Sequence, residues 1–188
     1  MTYKLKITEA INTINRLFIE HPYSCFCYGG GRESSVILSL LKKINRGMYY
    51  PIRIALVENE DGIVYGLVYL LKQLGYKDVK ITPGKDASTF ISLGKFERIN
   101  WKIRNIPIKE SWINPQVNWV ESISTEKFEG AIIGWRLHDR PPRDFIAENL
   151  GLYSTSISEP KLTLALPLLN WTSDDLSKYL KINEMVIP

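Results

Sequence analysis

The chain has 188 residues, 45% hydrophobic and 23% charged, enough to bury a substantial core in one soluble domain spanning 1–188. Its net charge of +4 suits an anionic ligand. No run approaches the ~20 apolar residues that span a bilayer, and the stretch Met1–Ala10 lacks an apolar core followed by a cleavage site, so a cytoplasmic protein with no membrane attachment is expected.

Cys25 and Cys27 are the only thiols, which argues against a disulfide framework and against a zinc site completed by the remote His21 and His138. They are read as buried structural cysteines and are expected on opposite faces of a strand.

Ile7, Ala10, Ile11, Ile14, Leu17 and Phe18 recur at helical spacing and predict a helix over Ile7–Glu20, capped by Thr8 or Thr2. Ser24–Tyr28 reads as a short buried strand. A helix follows over Ser34–Ile44, with Val36, Ile37, Leu40 and Leu41 on its sheet-facing side. Pro51–Glu58 reads as a second strand, Val64–Leu74 as a helix stopped by Gly75, and Asp78–Thr82 as a third strand. The stretch 84–117 is irregular and rich in Lys, Trp, Asn and Pro. A short helix is expected over Val117–Thr125 and a strand over Gly130–Trp135. After Pro167 comes one more short helix, with Thr172 as N-cap and Asp174 and Asp175 in its first turn.

Strands alternating with helices imply an α/β protein with a mostly parallel sheet and helices on both faces. Such sheets bind ligands at the carboxyl ends of their strands, near a switch in strand order. Three segments are expected to meet there: Gly29–Ser35, Glu58–Asp61 and Arg136–Arg143.

Within the first of these, Cys27-Tyr28-Gly29-Gly30-Gly31-Arg32-Glu33-Ser34-Ser35-Val36-Ile37-Leu38 places three glycines and two serines between a strand and a helix. Glycines let main-chain N–H groups approach an anion closely, and the start of a helix adds about half a unit of positive charge. A phosphate suits such a loop; an ordinary strand-to-helix turn would use the same residues. Neither Gly-x-x-x-x-Gly-Lys-Ser/Thr nor Gly-x-Gly-x-x-Gly is present.

The loop resembles the PP-loop, usually written Ser-Gly-Gly-x-Asp-Ser, of the adenine nucleotide alpha-hydrolase-like superfamily, a Rossmann-like fold. Gly29 stands at the first Ser, Gly30 and Gly31 match the glycines, Arg32 is the free position, Glu33 replaces Asp and Ser34 matches the final Ser. Ala131-Ile132-Ile133-Gly134-Trp135-Arg136-Leu137-His138-Asp139-Arg140 is similar to the "strand, then Gly-x-Arg-x-x-Glu-Ser" segment of the phosphoadenosine phosphosulfate (PAPS) reductase branch. There Gly134 and Arg136 match, Asp139 stands for Glu and Arg140 for Ser. Pro167 to Leu180, containing Trp171-Thr172 and Asp175, is similar to that branch's Pro-x-x-x-Trp-Thr-x-x-Asp segment.

The resemblance implies an adenine nucleotide, either ATP with Mg²⁺ or an adenosine phosphosulfate such as PAPS. Its contacts would come from Tyr28 to Ser35 on the loop, from Val57 and Glu58 at the second strand's end, and from Gly134, Arg136 and Arg143. Glu33 would touch Mg²⁺ or a basic side chain, since a bare carboxylate beside a phosphate is repulsive; it could also serve only the helix dipole. Glu58 could accept from a ribose or be a solvated loop carboxylate. Arg136, Arg140 and Arg143 could clamp an oxyanion or pair with Asp139, Asp144 and Glu148. Trp171, Asp174 and Tyr179 are read as cap and core residues.

The branch's reductases use a C-terminal cysteine as nucleophile, and nothing from Lys181 to Pro188 replaces a thiolate. Three functions stand beside one another. The first is ATP-dependent adenylation with pyrophosphate release. The second is sulfonucleotide binding without turnover, beside a partner protein that supplies the redox thiol. The third is a nucleic-acid module built on Arg98, Lys102, Arg104 and Lys109 interleaved with Trp101, Trp112 and Trp119.

Overall fold

In the computed structural model, which describes residues 1–44, 50–56, 61–83, 126–138, 151–155 and 162–185, the first apolar stripe folds as helix α1 (Tyr3–Glu20). Thr2 is its N-cap, accepting the Leu5 N–H, while Thr8 lies inside the helix and donates to the Lys4 carbonyl. Ala10, Ile14, Leu17 and Phe18 form the buried stripe. Strand β1 (Ser24–Cys27) is buried at all four positions. It is followed by α2 (Arg32–Lys43), β2 (Ile52–Leu56), α3 (Asp61–Gln73) and β3 (Val79–Pro83). Gly75, at φ 92°, lets the chain turn out of α3 and back into the sheet. Strand β4 is Gly130–Ile132, and α4 is Ser173–Ile182.

Two short strands were not anticipated: β5 (Tyr153–Thr155) and β6 (Thr163–Ala165), three residues each. The segments 84–117 and Val117–Thr125, and the positions of Val57, Glu58, Asp139, Arg140 and Arg143, lie outside the described residues.

The strands form one sheet in the order β3-β2-β1-β4-β6-β5, parallel throughout except for the β5–β6 pair. Order reverses at β1: the chain steps outward to β2 and β3, then returns to the other flank as β4. This is the switch point of a doubly wound sheet.

Register sorts the side chains into two faces. Val79, Ile52, Phe26, Ile132 and Ala165 lie in one cross-strand row and share a buried cluster with residues from all four described helices. Cys25, Ala131 and Leu164 form a row on the other face, with Cys27 beside Arg53. The two cysteines therefore share a face, and the expectation that they point in opposite directions is corrected: side chains two apart on a strand point the same way.

Arg53 sits in β2 with a 2% exposed side chain and reaches the amino-terminal edge of the sheet. There Nε and Nη2 donate to Glu126 (2.7 and 2.9 Å) and Nη1 to Asp78 (3.0 Å), while the guanidinium lies 5.0 Å from the Phe128 ring. The network ties β2 to the residues that precede β3 and β4. Replacing Arg53 by Leu strands two carboxylates; they are partly exposed, so the loss belongs at the low end for a broken buried pair, about 3 kcal/mol in urea denaturation.

Helix α4 docks onto α1 and α2. Trp171 and Tyr179 are fully buried, the Tyr179 hydroxyl meets Ser39 Oγ at 3.1 Å, and Lys43 lies 4.7 Å over the Tyr179 ring. Thr172 and Asp175 form a reciprocal capping box, and Lys6 pairs with Asp175, whereas Asp174 is exposed. Burial alone would raise the Asp175 carboxyl, but Lys6 and the N–H and hydroxyl of Thr172 outweigh it and hold the group below the ordinary aspartate range. A depressed folded-state value contributes stability above the unfolded value near pH ~4, lost as pH falls through the folded value. Thermal melts against pH are expected to show wild-type stability falling below about pH 4, with Asp175→Asn less stable at neutral pH and flatter in the acid range.

Candidate functional site

The site begins where β1 runs out. The Tyr28 N–H still pairs with the Arg53 carbonyl (2.9 Å), after which the chain leaves the sheet at Gly29. Gly30 has φ 73°, a conformation that strongly favours glycine, and a Cβ there would lie 2.8 Å from Leu67 Cδ1 of α3. Gly31 is the N-cap of α2 and offers no side chain to close the helix. Ser35 N–H makes the first intrahelical bond, to the Gly31 carbonyl (3.0 Å). The N–H groups from Gly31 to Ser34 accordingly have no acceptor within the helix and carry the positive end of its dipole.

The two serines hold this loop in shape. Ser34 Oγ accepts the Gly29 N–H (3.0 Å), and Ser35 Oγ donates to the Gly31 carbonyl (3.1 Å). Both are buried; Arg32 is exposed, as are Gly29 and Gly31. Tyr28 is only 1% exposed, packs edge-on against Phe26 with ring centroids 5.9 Å apart, and belongs to the core. Burial raises its hydroxyl, against a smaller opposing effect from Ser35.

Across the switch point, the chain leaving β4 is pinned by Ile133 N–H to the Ala165 carbonyl (3.0 Å) and Leu137 N–H to the Leu169 carbonyl (2.9 Å). Gly134 lies against the first turn of α2: a Cβ would stand 3.1 Å from Glu33 Cβ and 3.4 Å from Ile37 Cδ1. Two residues on, Arg136 is 4% exposed, and its Nη2 meets Glu33 Oε1 at 2.9 Å. Thus the structure brings together the Gly29–Ser35 loop, Gly134 and Arg136. Val57, Glu58 and Arg143 lie outside the described residues.

Glu33 has a basic side chain for its partner. Among the described residues no three His, Cys, Asp or Glu side chains converge on one position. Cys25 and Cys27 are both free thiols, and burial, with a smaller effect from a hydrogen bond to Cys25, pushes the Cys27 thiol well above the ordinary range, which makes it a poor nucleophile at neutral pH. Sequence reasoning missed Leu67, beside Gly30, and placed Ile37, beside Gly134, only on the sheet-facing side of its helix; spacing alone does not tie either to a glycine. A groove of about 520 Å³ between α1 and β5 is lined by residues such as Leu5, Glu9, Arg16 and Tyr153. Two strands separate β5 from β1, and none of the described motif residues lines this groove.

Fold and loop placement define the class: the adenine nucleotide alpha-hydrolase-like fold, with its glycine loop at the switch point of a doubly wound sheet. Among solved structures, the chain is similar to Candida glabrata FMN adenylyltransferase in complex with FMN and the ATP analog AMPCPP (14% identity, TM-score 0.57), covering 95% of this chain and 57% of that one. It is similar to phosphoadenylyl-sulfate (PAPS) reductase from Candida auris in a phosphate complex (14%, TM-score 0.58, 95% and 81%). It is also similar to yeast FAD synthetase in complex with FAD (17%, TM-score 0.56, 96% and 60%). The chain thus spans little more than half the length of the adenylyltransferase. No protein-family model matches the sequence, and no curated protein does. No helix among the described residues is long and apolar enough to cross a membrane.

Gly30→Ala forces a side chain into the left-handed region at a cost of about 1–2 kcal/mol, and Gly134→Val wedges β4 away from α2. Both are expected to lower the melting temperature and weaken anion binding. Gly66→Ala, with nothing within 4 Å of its added Cβ in mid-helix α3, is expected to stabilise the chain by about 0.5–1 kcal/mol and leave binding unchanged. Thermal melts and phosphate titrations on the three variants separate these outcomes.

Proposed function

We propose that this chain is a single nucleotide-binding domain that holds an adenine nucleotide with its phosphates on the Gly29–Ser35 loop and the first turn of α2. The observation that carries the reading is the uncapped start of α2 at the switch point, facing a segment that carries a buried arginine. N–H groups of that turn would donate to phosphate oxygens, and the exposed Arg32 would add a charge-assisted bond to an outer phosphate. Adenosine would lie toward the end of β2, where Val57 and Glu58 follow in sequence.

The reaction this arrangement serves best is adenylyl transfer. An acceptor oxygen attacks the α-phosphorus of ATP, the bond to the β-phosphate oxygen breaks, and pyrophosphate leaves. The chain's contribution is to orient the triphosphate in line and to stabilise charge on its oxygens with dipoles that are already in place. Mg²⁺ would arrive on the nucleotide and neutralise the leaving pyrophosphate. The structural similarity to an adenylyltransferase carrying an ATP analog supports this choice.

Sulfonucleotide binding is the second reading, favoured by the Gly134-x-Arg136 segment at the carboxyl edge. Both thiols of this chain are buried, so a partner protein would supply the redox step. The basic, tryptophan-containing stretch proposed for nucleic acid lies outside the described residues and receives no support from them. A cytoplasmic location fits any of these soluble activities.

Calorimetric titration with ATP plus Mg²⁺, adenosine 5′-phosphosulfate and PAPS decides among them. Binding of ATP that needs Mg²⁺, lowered at least tenfold by Arg136→Ala, is expected. Preference for a sulfonucleotide would select the second reading, and absence of binding to all three would overturn both.

A further inference from the structure

Glu33 puts a negative charge where the proposed ligand brings its own. It stands second in the first turn of α2, and its Oε2 lies 3.4 Å from where a Cβ of Gly31 would be, beside the uncapped N-terminus. Its other oxygen, Oε1, meets Arg136 Nη2 at 2.9 Å. One carboxylate therefore serves both positive elements of the site, the buried guanidinium and the helix start.

Two features suggest that this carboxylate can be exchanged. Glu33 is the more accessible member of the pair: its side chain is 24% exposed against 5% for Arg136. The anchors of both residues are fixed, because Gly134 brings the end of β4 against Glu33 Cβ while the bonds beyond that Cβ remain rotatable. A buried guanidinium needs an anionic partner at all times, and carboxylate and phosphate oxygens satisfy it with the same forked geometry.

We propose that Glu33 is an internal place-holder for the anionic ligand, holding Arg136 in the free chain and yielding it to an incoming phosphate or pyrophosphate oxygen. This rests on the reading of the Gly29–Ser35 loop as a phosphate site. The exchange keeps Arg136 paired in both states and turns the Glu33 carboxylate outward. It also makes the free chain weaker toward small oxyanions than its positive groups alone would allow, because each binding event must first break the pair.

The test is calorimetric titration of the intact chain with inorganic pyrophosphate, without divalent metal. Wild type is compared with Glu33→Gln, Glu33→Ala, Glu33→Asp, Arg136→Ala and the Glu33→Gln/Arg136→Ala double variant, each checked for folding by its thermal melt. Removing the competing carboxylate is expected to tighten pyrophosphate binding about fivefold in Glu33→Gln. Glu33→Ala should change in the same direction, which keeps the test open if one neutral variant fails to fold. Glu33→Asp keeps a charge beside the helix start but is one methylene too short to hold Arg136, so its binding should fall between wild type and Glu33→Gln. Arg136→Ala weakens binding, and in that background Glu33→Gln should lose most of its gain. A plain strut would give the opposite sign. If the folded neutral variants bind pyrophosphate no better than a binding-competent wild type, the place-holder is overturned while the phosphate site stands. If neither wild type nor any variant binds pyrophosphate or ATP, the phosphate site falls, and the place-holder with it.

Discussion

Everything in this fold depends on β1 being flanked on both sides by parallel strands. Four residues, all buried, pair with β2 through Phe26 and Cys27 and with β4 through Ser24, Cys25 and Phe26. A parallel neighbour cannot be reached by a tight turn, so the chain must leave β1 at its carboxyl end and cross over through a helix. The neighbours on the two flanks are reached in opposite directions, which opens the crevice between the loops after β1 and β4. The start of α2 points into that crevice as a consequence of topology. Gly130 helps to close the layers, since a Cβ there would lie 2.7 Å from both Leu17 of α1 and Ser24 of β1.

Two buried arginines mark the two ends of this sheet and do different work. Arg53, at the amino edge, is enclosed by Asp78, Glu126, the Ile52 carbonyl and the Phe128 ring, and most of its donors are committed within the protein. Such a network fixes strands relative to one another and offers little to a ligand. Arg136, at the carboxyl edge, faces a carboxylate that is itself partly in solvent. Buried charges of equal sign and similar exposure thus differ in what surrounds them. Only the second stands where a doubly wound sheet binds its ligands.

How much of this was legible in the sequence follows from how local each signal is. The β1–loop–α2 unit announces itself because its apolar strand, its glycines and its helical stripe are adjacent in the chain. The Thr172–Asp175 cap is a signal four residues long and was equally readable. Strands β5 and β6 are three residues each, too short for a period-2 pattern, and exist because β4 has an open edge to pair with. Arg53 interrupts an otherwise apolar strand, and only Asp78 and Glu126, distant in sequence, explain it. The third motif proved structural: Trp171, Thr172, Asp175 and Tyr179 seat α4 against α1 and α2. The Glu33–Arg136 pair was half legible, because a carboxylate at a phosphate loop demands a cation, while the sequence leaves open which one.

The one-residue departure at position 33 then acquires a physical meaning. In the resembling motif the corresponding residue is Asp, whose carboxylate stands one methylene closer to the helix backbone. Here Gly134 packs so tightly on α2 that Cβ of residue 33 is nearly in contact with the strand end. A carboxylate attached directly to that Cβ would stay beside the helix start. The extra methylene of Glu33 carries the group past the contact to Arg136, while its second oxygen stays near Gly31. Gly134 thus sets the distance between strand end and helix, and the longer side chain of Glu33 spans it.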